Sequence, residues 1–156
     1  MIKMITDIFY FFFIKMYSPK ICSITSYIFA FVLYQQEYKI HGLWPNSCAQ
    51  CNSCGYPSCC IAPKLSLFNQ SEFVDKYWLN GLDESKDSVC NHTTHYLYEH
   101  EAFKHGSCMN LSVNDYVLKT KSIFEKFQDQ LPTLCKEKSD CNLNLDGEYN
   151  LQNFFL

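Results

Sequence analysis

Several things are missing from this 156-residue chain. Apart from a short N-terminal run, no segment is apolar enough to suggest a membrane association. That run, Ile8 to Ile14, has seven residues, where a spanning helix needs about 20. There is no excess of positive charge. The formal net charge is −3, which excludes a general nucleic-acid binder held by a basic surface. No internal repeat and no low-complexity tract occurs, so neither an array nor a disordered tail is expected. The apolar run also lacks a small-x-small cleavage pattern and has Asp7 beside it. It fits only the short end of a signal-peptide core, giving an expected leader over 1–20.

What is present points to one globular domain. Aromatic residues make up 17% and hydrophobic residues 47% of the chain, enough to bury a core at this length. Ten cysteines are too many for an ordinary cytosolic enzyme and leave two readings, disulfides in a secretory compartment or metal ligation. Sequons at Asn69-Gln70-Ser71, Asn91-His92-Thr93 and Asn110-Leu111-Ser112 favour the first. Five histidines add a pH response: adding five positive charges to −3 gives about +2. An acidic compartment would therefore strengthen attraction for a polyanion.

Along the chain, Ser26 to Tyr34 is continuous, aromatic and β-branched, and reads as a buried strand. Glu37 to Leu43 reads as a second, short strand ended by Gly42 and Pro45, placing His41 beside a turn. Ser47 to Cys60 has no helical or strand period and reads as a cross-linked loop. Asn69 or Ser71 is expected to cap a helix through Phe73, Val74, Tyr77 and Trp78, closed near Gly81. Asp83 to Asn91 reads as loop. A further helix is expected from Thr94 to Lys104 with Gly106 as its left-handed stop. Ser112-x-x-Asp115 is a capping box. It opens a helix whose apolar face is Val113, Tyr116, Val117, Thr120, Ile123, Phe124 and Phe127. Cys135 to Leu156 shows no firm pattern.

The chemistry concentrates in Tyr98-Glu99-His100-Glu101-Ala102-Phe103-Lys104-His105-Gly106-Ser107-Cys108. On a helix, with His100 at zero, Lys104 falls near ~40°, Glu101 near ~100° and His105 near ~140°. All four project into one arc, as a multi-group acid–base site requires. Alone, the segment also reads as a solvated helical face of mixed charge. Upstream lies Ile40-His41-Gly42-Leu43-Trp44-Pro45-Asn46. In this order, His-Gly-Leu-Trp-Pro and His-Glu-x-x-Lys-His-Gly-Ser-Cys resemble the two active-site segments of the ribonuclease T2 family.

The resemblance implies a disulfide-stabilised α+β fold, a small antiparallel sheet packed with helices in a single domain over 21–156. It also implies a metal-independent endoribonuclease in which the ribose 2′-hydroxyl attacks the adjacent phosphodiester. The products would be a 2′,3′-cyclic phosphate and then a 3′-phosphate. His41 resembles the proton donor and His105 the acceptor, labels that the sequence leaves exchangeable. His100 resembles the phosphate-binding histidine. Glu101 and Lys104 resemble the pair that orders the site and supports the transition state. Trp44 resembles the aromatic that stacks a base, with Asn46 at the base edge; a core tryptophan is the alternative reading. Cys108 resembles a cysteine bridged back to the segment after the first site, with Cys51, Cys59 and Cys60 as candidate partners. RNA is the implied substrate and DNA is not, with no cofactor, no metal and no stable membrane association. The expected state is a monomer in a secreted or lysosomal/vacuolar location.

The chain departs from the family pattern in several places. Ala102 stands where an aromatic is usual and Lys39 where a small hydroxyl residue is usual. Tyr34-Gln35-Gln36 runs almost directly into the second strand without the family's longer connection, and Cys22 has no evident partner. The chain is expected to be incomplete at its C-terminus, before further core strands. An inactive or misassembled secreted member is therefore the competing reading. A zinc hydrolase is disfavoured because His100 and His105 are five apart rather than four. A zinc-binding module built on Cys48-x-x-Cys51-x-x-Cys54 and Cys59-Cys60, with His92 and His95 in reserve, does not give a clean four-ligand set.

Overall fold

The computed structural model describes residues 24–46, 58–61, 64 and 66–152. The leader expected over 1–20, Cys22, and the cysteines at 48, 51 and 54 lie outside the described residues, and Cys51 with them. Strands β1 (Ser26–Tyr34), β2 (Glu37–Asn46) and β5 (Asp140–Asp146) form an antiparallel sheet in the order β2-β1-β5. Helix α1 is Ser71–Tyr77, the hairpin β3 (Asp87–Val89) and β4 (His92–Thr94) follows, and α2 is Leu97–Lys104. A 3₁₀ turn at Gly106–Met109 leads to α3 (Val113–Phe127), a second 3₁₀ turn (Gln128–Gln130) and α4 (Leu131–Cys135). This is the α+β domain the sequence suggested.

One face of the sheet is the core. Tyr27, Phe29 and Phe31 of β1 stand opposite Leu145, Leu143 and Cys141 of β5, and all six are buried. Directly opposite residues of antiparallel strands share a face. The buried stripe of α3 covers that face: Phe124 lies 6.3 Å from the Phe31 ring, and Val117 and Ile123 are buried beside it. The predicted 3.6-residue stripe of this helix is therefore its core side. The N-cap half of its capping box is also formed, with Ser112 Oγ accepting from the Asp115 N–H.

Several expectations are corrected. The tail contains β5, whose alternation of Cys141, Leu143 and Leu145 with Asn142 and Asn144 is the period of a half-buried strand. The segment read as loop includes β3. Helix α1 has Gln70 as its N-cap with no side-chain cap, rather than Asn69 or Ser71. Helix α2 starts at Leu97, since Thr94 belongs to β4. Gly106 is not the left-handed stop. That conformation falls to Asn110 (φ 56°). Gly106 is required for another reason: a β-carbon there would lie 2.8 Å from the buried Tyr116 ring.

The short link between β1 and β2 is a two-residue turn in which Gln35 and Gln36 both have positive φ, 49° and 67°, between the paired Tyr34 and Glu37. That is the pattern of a type I′ hairpin, which favours Asn-Gly. Side chains with a β-carbon cost roughly 1–2 kcal/mol each in this region. Replacing Gln35 and Gln36 by Asn and Gly is therefore expected to raise stability by about 1 kcal/mol, read as a rise in Tm of about 3 °C. An unchanged Tm would show that the turn carries no such strain.

Candidate active site

His41 lies inside β2 rather than at a strand end. Ala30 pairs with Gly42 and Phe31 with Ile40, so His41 is the extra residue of a β-bulge. Its consequence is geometric. In a regular strand positions 41 and 44 would point to opposite faces. With the bulge, Ile40 and Leu43 both remain buried in the core, while His41 and Trp44 share the other side and both reach Glu101.

As the outer strand of the sheet, β2 exposes backbone groups on its free edge, and these are held. The Trp78 indole donates to the His41 carbonyl at 3.0 Å, and the Leu79 N–H donates to the Ile40 carbonyl at 2.8 Å. The buried Tyr116 hydroxyl accepts from the Leu43 N–H at 2.8 Å and donates to the Leu43 carbonyl at 3.0 Å. The same alternation puts the missing N–H of Pro45 on this outer side, where proline is tolerated. The strand consequently continues to Asn46 instead of ending at Gly42 and Pro45.

Opposite β2, α2 presents Glu101, only 2% exposed. Its Oε1 is 3.4 Å from His41 Nε2, and its Oε2 is 3.8 Å from His105 Nε2. The Trp44 indole donates to Oε2 at 2.6 Å, and the Trp44 ring stands 5.3 Å from the His41 ring and 5.5 Å from that of His105. Gly42 leaves the room for this: a β-carbon there would lie 2.5 Å from Glu101 Oε2 and 2.8 Å from Trp44 Nε1. Burial pushes the Glu101 carboxyl up. The hydrogen bond from His41, the nearby charges of His105 and His41 and the Trp44 hydrogen bond outweigh it, holding the group below the usual carboxylate value. One ionised carboxylate is thus shared by two imidazoles and an indole.

The remaining candidates are distributed around this centre. His100 has a carboxylate neighbour of its own, Asp87, whose Oδ2 is 2.7 Å from His100 Nδ1, so consecutive residues of α2 serve different carboxylate–imidazole contacts. Lys104 is half-buried at the end of α2, and its carbonyl accepts from Cys59 N–H. Among the described residues its side chain makes no ion pair. Asn46 sits at the far end of β2, where its amide donates to Ser26 Oγ at 3.3 Å. Among the described residues no cluster of three or more histidine, cysteine, aspartate and glutamate side chains could hold a metal ion. Cys59 and Cys60 are bonded to Cys90 and Cys108, which removes them from the zinc set considered above. The His92 ring lies tilted 4.9 Å from that of Phe103, and the His95 backbone N–H donates to Glu99.

The model of the ribonuclease T2 family matches residues 7–153. The chain belongs to the ribonuclease T2 family. A ribonuclease from Aeromonas hydrophila is 28% identical over 115 residues, 72% of this chain and 44% of that protein. The chain thus spans less than half the length of this curated relative. Among solved structures, an RNase-related protein from Calystegia sepium superposes with a TM-score of 0.61 at 16% identity, covering 83% of this chain and 90% of that one. This likeness supports the T2 fold.

Of the partners left open for Cys108, the structure selects Cys60. The bond encloses a sequence separation of 48 and fixes the turn directly after His105. Ser107 Oγ accepts from the Cys60 N–H at 3.1 Å beside it. Cys108→Ser in this T2 chain is expected to cost about 2–4 kcal/mol. A lowered Tm together with reduced activity would show that the bond holds the second site segment in place; unchanged values of both would refute that.

Two contributors were missed in the sequence reading. Tyr116, read only as a core position, ties β2 to α3. Asp87 was assigned to a loop. A period of 3.6 finds Tyr116 but says nothing of its hydroxyl, and three residues of strand give no period for Asp87.

Proposed function

We propose that this chain is a metal-independent endoribonuclease that cleaves single-stranded RNA through attack of the ribose 2′-hydroxyl on the neighbouring phosphodiester. The supporting observation is the convergence of His41 and His105 on the buried, ionised Glu101. Cleavage requires a base for the 2′-hydroxyl proton and an acid for the leaving 5′-oxygen. Imidazoles suit both tasks because their unperturbed pKa of about 6.5 lets one be neutral while the other is charged. In this reading His105 takes the proton and His41 delivers one, and the roles reverse when water opens the cyclic phosphate. Glu101 orients both rings and stabilises whichever is charged. Lys104 bears on the non-bridging oxygens as charge develops, and His100 binds the phosphate from the start. Trp44 exchanges its contact with Glu101 for a base, and Asn46 reads that base's edge.

Three disulfides among the described residues fit an oxidising, secretory compartment. Asn69, Asn91 and Asn110 are all exposed, as glycan attachment requires. No helix among the described residues is long and apolar enough to cross a membrane, and we read the protein as a secreted or vacuolar monomer.

The test is digestion of single-stranded RNA at about pH 5 in EDTA, with DNA of the same sequence as control. Fragments ending in a 2′,3′-cyclic phosphate, later converted to a 3′-phosphate, with DNA intact, are expected. No cleavage by a folded chain, or cleavage only with added metal, would overturn the proposal.

A further inference from the structure

We propose that Asp87 is a positioning residue that fixes the His100 ring for a phosphate ligand. The proposal rests on the reading of His100 as facing the substrate phosphate. Asp87 has a close neighbour at each carboxylate oxygen. Oδ1 accepts from the Ser88 N–H at 2.8 Å, and Oδ2 lies 2.7 Å from His100 Nδ1. His100 Nδ1 is sealed from solvent and makes no aligned hydrogen bond. The Asp87 carboxylate thus acts on it as a close charged neighbour, while the side chain as a whole is 19% exposed. The Nδ1 side of the ring is closed to solvent, so a ligand from solvent has to reach the ring elsewhere.

The strand that carries Asp87 is itself fixed to α2. Cys90, in the turn of its hairpin, is bonded to Cys59, whose N–H donates to the Lys104 carbonyl. His92, on the partner strand, packs its ring on Phe103 of the same helix. The Asp87 carboxylate is 57% exposed, and a pair this exposed adds little to stability. Its effect falls on the imidazole. A ring nitrogen engaged by a carboxylate determines which nitrogen is left to face a ligand and in what direction. With Nδ1 turned to Asp87, Nε2 is the atom that can donate to a phosphate oxygen. Such a contact exists before and throughout the reaction, so its loss weakens binding more than turnover.

Kinetics on a dinucleoside monophosphate test this. Asp87→Asn is expected to raise KM about 10-fold with kcat within about 2-fold, and Asp87→Glu to recover part of the loss. Tm should move by less than about 1 °C, which separates the effect from a structural one. A second readout needs no catalysis: imidazole ¹⁵N spectra report the His100 tautomer, and titration with inorganic phosphate reports its response. The wild-type ring is expected to hold one tautomer and respond at lower phosphate than the Asp87→Asn variant. Equal KM, or the same tautomer and phosphate response in both proteins, would overturn the role of Asp87 even if RNA is cleaved. If RNA is not cleaved but the phosphate response depends on Asp87, the catalytic reading fails and the inference stands.

Discussion

RNA incubated with the His105→Ala variant is expected to be cleaved about 10²–10⁴-fold more slowly than by the wild-type chain, and His41→Ala should fall in the same range. Under the proposed mechanism each substitution removes one proton-transfer group and leaves its Glu101 contact empty. The double variant should lose little more than the worse single one, because acid and base act as a unit. His41→Ala is the milder test of folding, since that side chain is 36% exposed whereas His105 is 7% exposed. Initial rates on one defined oligonucleotide, with Tm measured alongside, check all three variants. Full activity in either single variant would remove that histidine from the mechanism. Glu101 stays ionised in the acid range where this assay runs. With its folded pKa held down, the stability it contributes is present above the ordinary carboxylate value and lost only as pH falls through the depressed one.

Gly42→Ala is expected to damage the site without replacing any group that carries chemistry. The added β-carbon would lie 2.5 Å from Glu101 Oε2 and 3.1 Å from Glu101 Cδ. These are side-chain ends, but they are buried and bound. Glu101 accepts the Trp44 indole, and β2 is clamped on its outer edge by Tyr116 and Trp78. Relief therefore means turning Glu101 away from both histidines or sliding β2 off its clamps. Overpacking of this kind costs roughly 1–3 kcal/mol. A displacement near 1 Å at the carboxylate lowers kcat/KM about 10²-fold. Gly147→Ala is the control, because its β-carbon meets only the Thr25 carbonyl at 3.5 Å; it should be nearly neutral. Equal kcat/KM for the two alanine variants would show that Gly42 does not set the position of Glu101.

Much of this arrangement was legible in the residues. Ser26 to Tyr34 matched β1, and the apolar period from Val113 to Phe127 marked the buried side of α3, because both follow local periodicities that burial enforces. The spacing of Glu101 and His105 put them one helical turn apart, and the structure keeps them together. The same arc included His100 and Lys104, and the projection did not show which neighbour each side chain would meet. A projection gives directions from one helix axis but not the neighbours that meet each direction. Asp87 meets His100, and β2 meets Glu101.

The sequence by itself determined the two site segments and the main helix, since each depends on residue type and short-range spacing. The family resemblance carried by those segments implied the α+β class. Tertiary structure decided that Cys60 is the partner of Cys108 and that β5 joins β1. It also decided that a single bulge at His41 turns His41 and Trp44 to one side. These depend on which distant backbones meet and in what register. A shift of one residue in register inverts every side chain along a strand, and no local pattern around His41 announces it.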